Sequence, residues 1–242
     1  MHNDKIALVT GATRGIGLET VRQLATQGVH TLLAGRDRGK AVEAALKLQA
    51  EGLPVEAIAL DITDDASIAT AAREIAERHG RLDILVNNAG IFVEDFDKAP
   101  SEQPLEVWRK TFDTNLFGMV ATTQALLPLL RKSQAGRIVN LSSSLASLAL
   151  HTDPASGIYD LKVPAYDASK TAVNAWTVHL AHELRDTPIK VNAVDPGSVK
   201  TDMNANGELD VATGARGSVM MALLDGAGPT GSYTHLGEVL PW

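Results

Sequence analysis

The stretch Ile6-Ala7-Leu8-Val9-Thr10-Gly11-Ala12-Thr13-Arg14-Gly15-Ile16-Gly17 runs from an apolar segment of strand length, through two glycines, into a helix-period pattern. Glycine lets the backbone turn tightly and come close to a bound group. The first turn of the following helix offers N–H groups without intrahelical partners and the positive end of the helix dipole. A strand, a glycine-rich turn and a helix in this order suit a pyrophosphate. The spacing is G-x-x-x-G-x-G rather than the commoner G-x-G-x-x-G, so the position after the first strand gives the motif its weight.

The same alternation continues outward from this unit. Strand candidates are residues 6–10, 31–34, 55–60, 82–86, 137–141, 190–194 and 232–235; helical patterns cover 16–26, 38–50, 65–78, 105–131, 168–185 and 211–224. Runs such as Ile84-Leu85-Val86 show no polar alternation, which suits strands covered on both faces. The expectation is an α/β fold: a Rossmann-type, doubly wound parallel sheet of about seven strands with helices on both faces. No repeat or linker-like shift divides the chain, so residues 1–242 are expected to form one dinucleotide-binding domain. Pro128 is expected to kink the 105–131 helix or end it early. Residues 151–164, with Asp153-Pro154 and Ser156-Gly157, read as a loop over the sheet's edge.

Composition narrows the partners. The 242 residues hold 22 Lys plus Arg against 29 Asp plus Glu, a net charge of −7, with no basic run to meet a phosphate backbone. Nucleic acid is therefore not an expected partner. Cysteine is absent, which removes disulfides, thiol nucleophiles and thiolate metal sites. With no membrane-length apolar run and no signal-peptide layout, a cytoplasmic protein without membrane association is expected.

Further candidates stand at strand ends, where open α/β folds bind ligands. The second strand ends Ala34-Gly35-Arg36, with no carboxylate for ribose hydroxyls. Arg36 and Arg14 are instead guanidinium forks for a 2′-phosphate, which favours NADP(H); Asp37 stands near enough to pair with either. Asp61 can accept from an adenine amino group or cap the next helix, although Thr63 and Asp64 are nearer to that job. Asn87 and Asn88 can tie strands together and line the cofactor's path. Ser142-Ser143-Ser144 follows the fifth strand. Tyr166 and Lys170, four apart, share a helix face, whereas Tyr159 and Lys162 form a decoy at spacing three. His179 and His182 lack a third ligand, so no metal is expected.

Taken together, the Thr10–Gly17 loop, Asn87–Gly90, Asn115, the serine cluster, Tyr166/Lys170 and Pro196-Gly197 resemble the short-chain dehydrogenase/reductase family over essentially the whole chain. Leu60-Asp61-Ile62, Pro196–Met203 and the tail from Gly228 to Trp242 narrow the likeness to NADPH-dependent carbonyl reductases and related plant ketone and enone reductases. That resemblance implies Ser143 as the catalytic serine and Tyr166 as proton donor. It implies Lys170 as the group that lowers the tyrosine pKa and holds the nicotinamide ribose, and Asn115 as anchor of a relay water. Implied cofactor contacts are Gly11, Thr13, Arg14, Gly15, Ile16, Gly17, Arg36, Asp61, Ile62, Asn88, Tyr166, Lys170, Val199 and Thr201.

Two features depart from the pattern. Twenty-two residues separate Ser143 from Tyr166, more than in typical oligomeric members and fewer than in the mammalian carbonyl reductase, and Ser198 stands where some carbonyl reductases carry an aromatic residue. The implied activity is reduction of a small ketone or aldehyde to an alcohol. Its alternatives are an alcohol dehydrogenase, an enone reductase and a non-catalytic NADP-binding sensor. Ile91, Phe92, Leu145 and Met203 are candidate pocket lining, and either a monomer or a homo-oligomer is compatible with the sequence.

Overall fold

The computed structural model describes residues 5–242. Eight strands form one sheet: β1 (Ile6–Val9), β2 (His30–Gly35), β3 (Val55–Ala59), β4 (Ile84–Asn87), β5 (Arg137–Leu141), β6 (Lys190–Asp195), β7 (Tyr233–His235) and β8 (Glu238–Val239). Their order is β3-β2-β1-β4-β5-β6-β7-β8. All neighbours are parallel except β7 and β8. The chain winds outward from β1 to β3, then returns to start the other half at β4. A crevice therefore opens beyond the carboxyl ends of β1 and β4, the usual ligand position in such sheets.

The helices are α1 (Gly15–Thr26), α2 (Arg38–Ala50), α3 (Asp65–His79), α4 (Leu105–Phe112), α5 (Met119–Leu130), α6 (Leu148–Thr152), α7 (Pro164–Glu183) and α8 (Val211–Ala222). Alternating strand residues feed two separate cores. Leu8, Leu32 and Leu85 pack with α3, α5 and α7, including Ile75, Leu126 and Leu180. Val9, Leu33 and Val86 pack on the other face with α1, α2 and α8, including Val21, Leu48 and Met221. Both faces of the sheet are thus dry, as the unbroken apolar strands require.

Three local expectations are corrected. The eighth strand, β8, is two exposed residues long, and its hairpin turn places Leu236 and Gly237 at φ 47° and 96°. A positive φ at leucine gives no Asn-Gly or Asp-Gly turn signal. Pro128 leaves α5 running to Leu130; the break in the 105–131 pattern lies instead at a π-helical turn, Asp113–Gly118. So near the C-terminal end, the carbonyl and N–H that proline disrupts matter little. Finally, Ser147 Oγ accepts from Leu150 N and starts the short α6, whose last two residues run into the segment expected to be loop.

Candidate active site

At the carboxyl edge of the sheet, the turn after β5 and the first turns of α7 bring the hydroxyl-bearing candidates together. Ser143 Oγ accepts from Leu145 N at 3.2 Å, which fixes its rotamer, and its side chain lies beside the Tyr166 hydroxyl, close enough to pull the phenol's pKa down. Lys170, one turn further along α7, is buried; its Nζ donates to Leu141 O at 2.7 Å and stands 5.7 Å from the Tyr166 ring centroid. Ser142 is not part of this group. Its hydroxyl donates to Asn174 Oδ1 at 2.7 Å in the protein interior. The decoy is separated too: Tyr159 lies exposed in the loop, with Lys162 over its ring and bonded to His151 O.

Asn115 sits in the π-helical turn, fully buried. Its Oδ1 accepts from Ile91 N, and its Nδ2 donates to Ile91 O and Ser169 Oγ. A Cβ added to Gly90 would lie 3.4 Å from Asn115 Oδ1 and 3.6 Å from Lys170 Nζ, so the bare glycine leaves room between the two groups.

Burial sets the protonation of this cluster. Loss of water around Tyr166 pushes its phenol well above the usual range, and the nearby Asp195 carboxylate adds to the effect against the pull of the Ser143 hydroxyl. Burial also pulls Lys170 down, to about 8. The depressed phenol pKa implied by the resemblance is therefore not what the chain alone produces. Burial and the Asp195 carboxylate outweigh the one lowering influence, the Ser143 hydroxyl.

Three residues not picked out in the sequence frame Tyr166. Glu94, also buried, accepts from Ala165 N at 2.9 Å and from Tyr166 N at 2.6 Å. It supplies the α7 cap that Val163 cannot. Asp195, at the end of β6, accepts from Gly197 N and stands 3.3 Å from His235 Nδ1. Tyr233 donates to Ser143 O and stacks on Trp242. Glu94 and Tyr233 are 71 to 90 residues from what they hold, so no local spacing could have shown them. Among the candidate lining residues, Phe92 meets the Tyr166 ring edge-on at 5.5 Å, while Met203 is half exposed.

The glycine turn forms a cradle that fits a dinucleotide's phosphates. Gly11 and Gly15 have φ of 63° and 58°, conformations that favour glycine. A Cβ at Gly17 would fall 2.4 Å from Asn88 Nδ2 and 2.8 Å from Gly11 O. Asn88 closes this cradle by donating to Thr10 O at 2.7 Å. Helix α1 begins there with no side-chain cap and no acid in its first turn, leaving its N–H groups for an anion. Thr13 backs the loop against Gly35, and the Thr201 methyl approaches Gly15 from the segment after β6, where Val199 is buried.

The two candidate phosphate-binding arginines differ. Arg14 is paired with Asp202 at 2.6 Å, whereas Arg36 is exposed and has no ion pair among the described residues. Asp37 pairs with neither; it caps α2 by accepting from Lys40 N. Asp64 caps α3, and Asp61 accepts from Thr63 N and Oγ1, which holds its carboxyl below the usual range. Ile62, beside it, is buried, with its carbonyl against Gly118 of the π-helical turn.

A family model for short chain dehydrogenase matches residues 5–211. Short-chain dehydrogenase/reductase 1 of Saponaria officinalis is 35% identical, the match covering 98% of this chain and 96% of that protein. A (+)-neomenthol dehydrogenase of Capsicum annuum is 33% identical over 97% and 96%. The NADPH-bound carbonyl reductase from chicken fatty liver superposes with a TM-score of 0.85 at 28% identity, covering 100% of this chain and 96% of that one. With the doubly wound sheet, the glycine cradle and the serine–tyrosine–lysine cluster at its carboxyl edge, the chain belongs to the short-chain dehydrogenase family of nicotinamide-dependent oxidoreductases.

Proposed function

We propose that residues 1–242 act as one NADPH-dependent reductase unit that converts a ketone or aldehyde to an alcohol. The observation that carries this reading is the grouping of Ser143 beside the Tyr166 hydroxyl, Lys170 near the tyrosine's ring and Asn115 behind it. Support also comes from the relatives: one is named for an alcohol, neomenthol, and another is a carbonyl reductase bound to NADPH.

NADPH supplies the hydride when bound. A carbonyl carbon that gains hydride leaves negative charge on its oxygen, which needs a proton and hydrogen-bond donors aimed at it. Tyr166 holds its proton firmly before the reaction, as a donor must, and delivers it to that oxygen. Ser143 donates a hydrogen bond to the same oxygen. Lys170 holds the ribose, and its ammonium stabilises the phenolate left behind. Reprotonation runs through a water in the space over Gly90, between Lys170 Nζ and Asn115 Oδ1.

Gly11, Thr13, Gly15, Ile16, Gly17 and Asn88 hold the pyrophosphate side, with Val199 and Thr201 closing over it. Asp61 and Ile62 border the adenine. Arg36 holds the 2′-phosphate; Arg14 joins it by leaving Asp202. A charge-assisted contact of that kind is worth roughly 1.5–3 kcal/mol, or about ten- to a hundredfold in affinity.

The test is NADPH and NADH oxidation against a panel of ketones, aldehydes and enones, with products identified. Alcohol products and a marked NADPH preference that Arg36→Ala removes are expected. A saturated ketone from an enone would replace the reaction; equal kcat/KM with both cofactors would remove the phosphate site; no turnover on any carbonyl would favour the sensor.

A further inference from the structure

A second constellation lies at the opposite edge of the sheet. His30 opens β2, Glu56 stands in the first turn of β3 on the same face, and His79 ends α3, which packs against that face. A cleft of about 750 Å³ opens beside them, bordered by Ile6, Gly28 and Leu53. One ring nitrogen each of His30 and His79 and a Glu56 oxygen all lie within 4.8 Å of one another. His30 Nε2 is 2.8 Å from Glu56 Oε1, and His79 Nε2 is 3.7 Å from Glu56 Oε2. Four-coordinate zinc with His and carboxylate ligands near 2.1 Å requires ligand atoms roughly 3–3.4 Å apart, so small side-chain rotations suffice.

The hydrogen bonding makes this more than an ion pair. Both Nε2 atoms are shielded from solvent, and neither makes a hydrogen bond. The close approach of Glu56 to His30 lacks the direction an N–H···O bond needs, so two imidazole nitrogens face one carboxylate unsatisfied. Burial costs such atoms free energy unless something fills their lone pairs. Arg78 pairs with the Glu56 carboxylate and with Glu74, which orients Glu56 and also competes for it.

We propose that His30, Glu56 and His79 bind one divalent transition metal, zinc by the chemistry of the set, with a water from the cleft as fourth ligand. Two imidazoles, one carboxylate and an open position form a borderline donor set that suits zinc far better than calcium or magnesium. Bound there, the ion fastens the starts of β2 and β3 to the end of α3, far from the candidate catalytic cluster. Its effect is therefore on stability, and it takes no part in the reduction.

The experiment uses tag-free, chelator-stripped full-length protein titrated with Zn²⁺ alone by calorimetry, with Co²⁺ absorption as a second readout on the same unaltered chain. One equivalent at micromolar affinity is expected, together with a rise in Tm of about 5 °C under excess metal. His30→Gln and His79→Gln should each weaken binding by at least about tenfold. His179→Gln/His182→Gln, which removes the other close histidine pair in the sequence, should leave it intact. Failure of the unaltered chain to take up one equivalent, or unchanged binding in His30→Gln/His79→Gln, overturns the proposal.

Discussion

Tyr166 and Tyr159 place the same phenol in opposite settings. Tyr166 is held by Ser143, Phe92 and the Lys170 ammonium at the edge of the core, whereas Tyr159 lies in the loop with a lysine folded over it. Tyr166→Phe keeps the ring and its packing while removing the proton. It should retain NADPH binding and Tm and lose at least ~10³ in kcat, since proton donation and oxyanion stabilisation go together. Tyr159→Phe should be close to the parent. Steady-state reduction and a cofactor titration on both variants decide the matter, and a fast, folded Tyr166→Phe would remove the mechanism.

The serines divide in the same way. Ser143→Ala should lose about 10²–10³ in kcat as one donor to the developing oxyanion disappears. Ser142→Ala should instead lower stability by about 1 kcal/mol, because it strips a buried amide of its partner, and should leave kcat near normal. Urea unfolding alongside kinetics separates the two effects, and the reverse pattern would move the catalytic role by one residue. Tyr166, Lys170 and the serine run were legible by short-range spacing or by their place at a strand end, whereas Asn115 and the choice of Ser143 within the run came only with the family resemblance. The Arg14–Asp202 pair was not legible, because the two residues are 188 positions apart.

At the scale of elements, legibility followed the caps. The bounds of α2 are those expected, since Asp37 announces its start. The start of α7 falls at Pro164, four residues before the expected one, because Val163 offers no capping side chain and proline at a first helical position looks like loop. The signal missing from the local sequence is Glu94. Glu94→Ala should leave two N–H groups at the start of α7 unpaired, lowering stability by roughly 1–3 kcal/mol. It should also lower kcat as Tyr166 loses its anchorage, and Glu94→Gln should recover part of both. Thermal melts and initial rates would show this; a Glu94→Ala protein matching the parent in both would mean that α7 sets the tyrosine unaided.

The whole molecule carries a pH signature. Asp167 is raised from its ordinary 3.8 to about 7, chiefly by burial; its Oδ2 accepts from Val163 N, while Oδ1 is buried without a partner. Between these values the folded chain keeps a proton that the unfolded chain has lost, so this group's contribution to stability is greatest below about pH 4 and falls as pH rises to about 7. Burial pushes Asp195 in the same direction. Asp167→Asn can keep an acceptor for Val163 N but has no proton to lose. Its Tm relative to the parent should therefore climb from pH 4 to 7 and level off above; a constant offset would place the ordinary carboxyl in both states. At this scale the fold was read almost whole, because the unbroken apolar strands alternate with helices. What stayed hidden were contacts that only the closed sheet creates.

The π-helical turn that carries Asn115 has a consequence for phase. Each residue of an α-helix advances the azimuth by about 100°, and a wide turn takes up a residue that a regular helix of the same rise would not hold. The wide turn therefore absorbs that residue and keeps α5 in the phase that a regular helix one residue shorter would give it. Removing one residue from Asp113–Gly118 would restore regular winding and leave Leu126 and Leu130 facing the sheet, at the cost of the Asn115 contact with Ile91; the same deletion inside α5, ahead of those leucines, would turn them away. Among homologous chains, single-residue gaps should thus fall within these six positions rather than in α5.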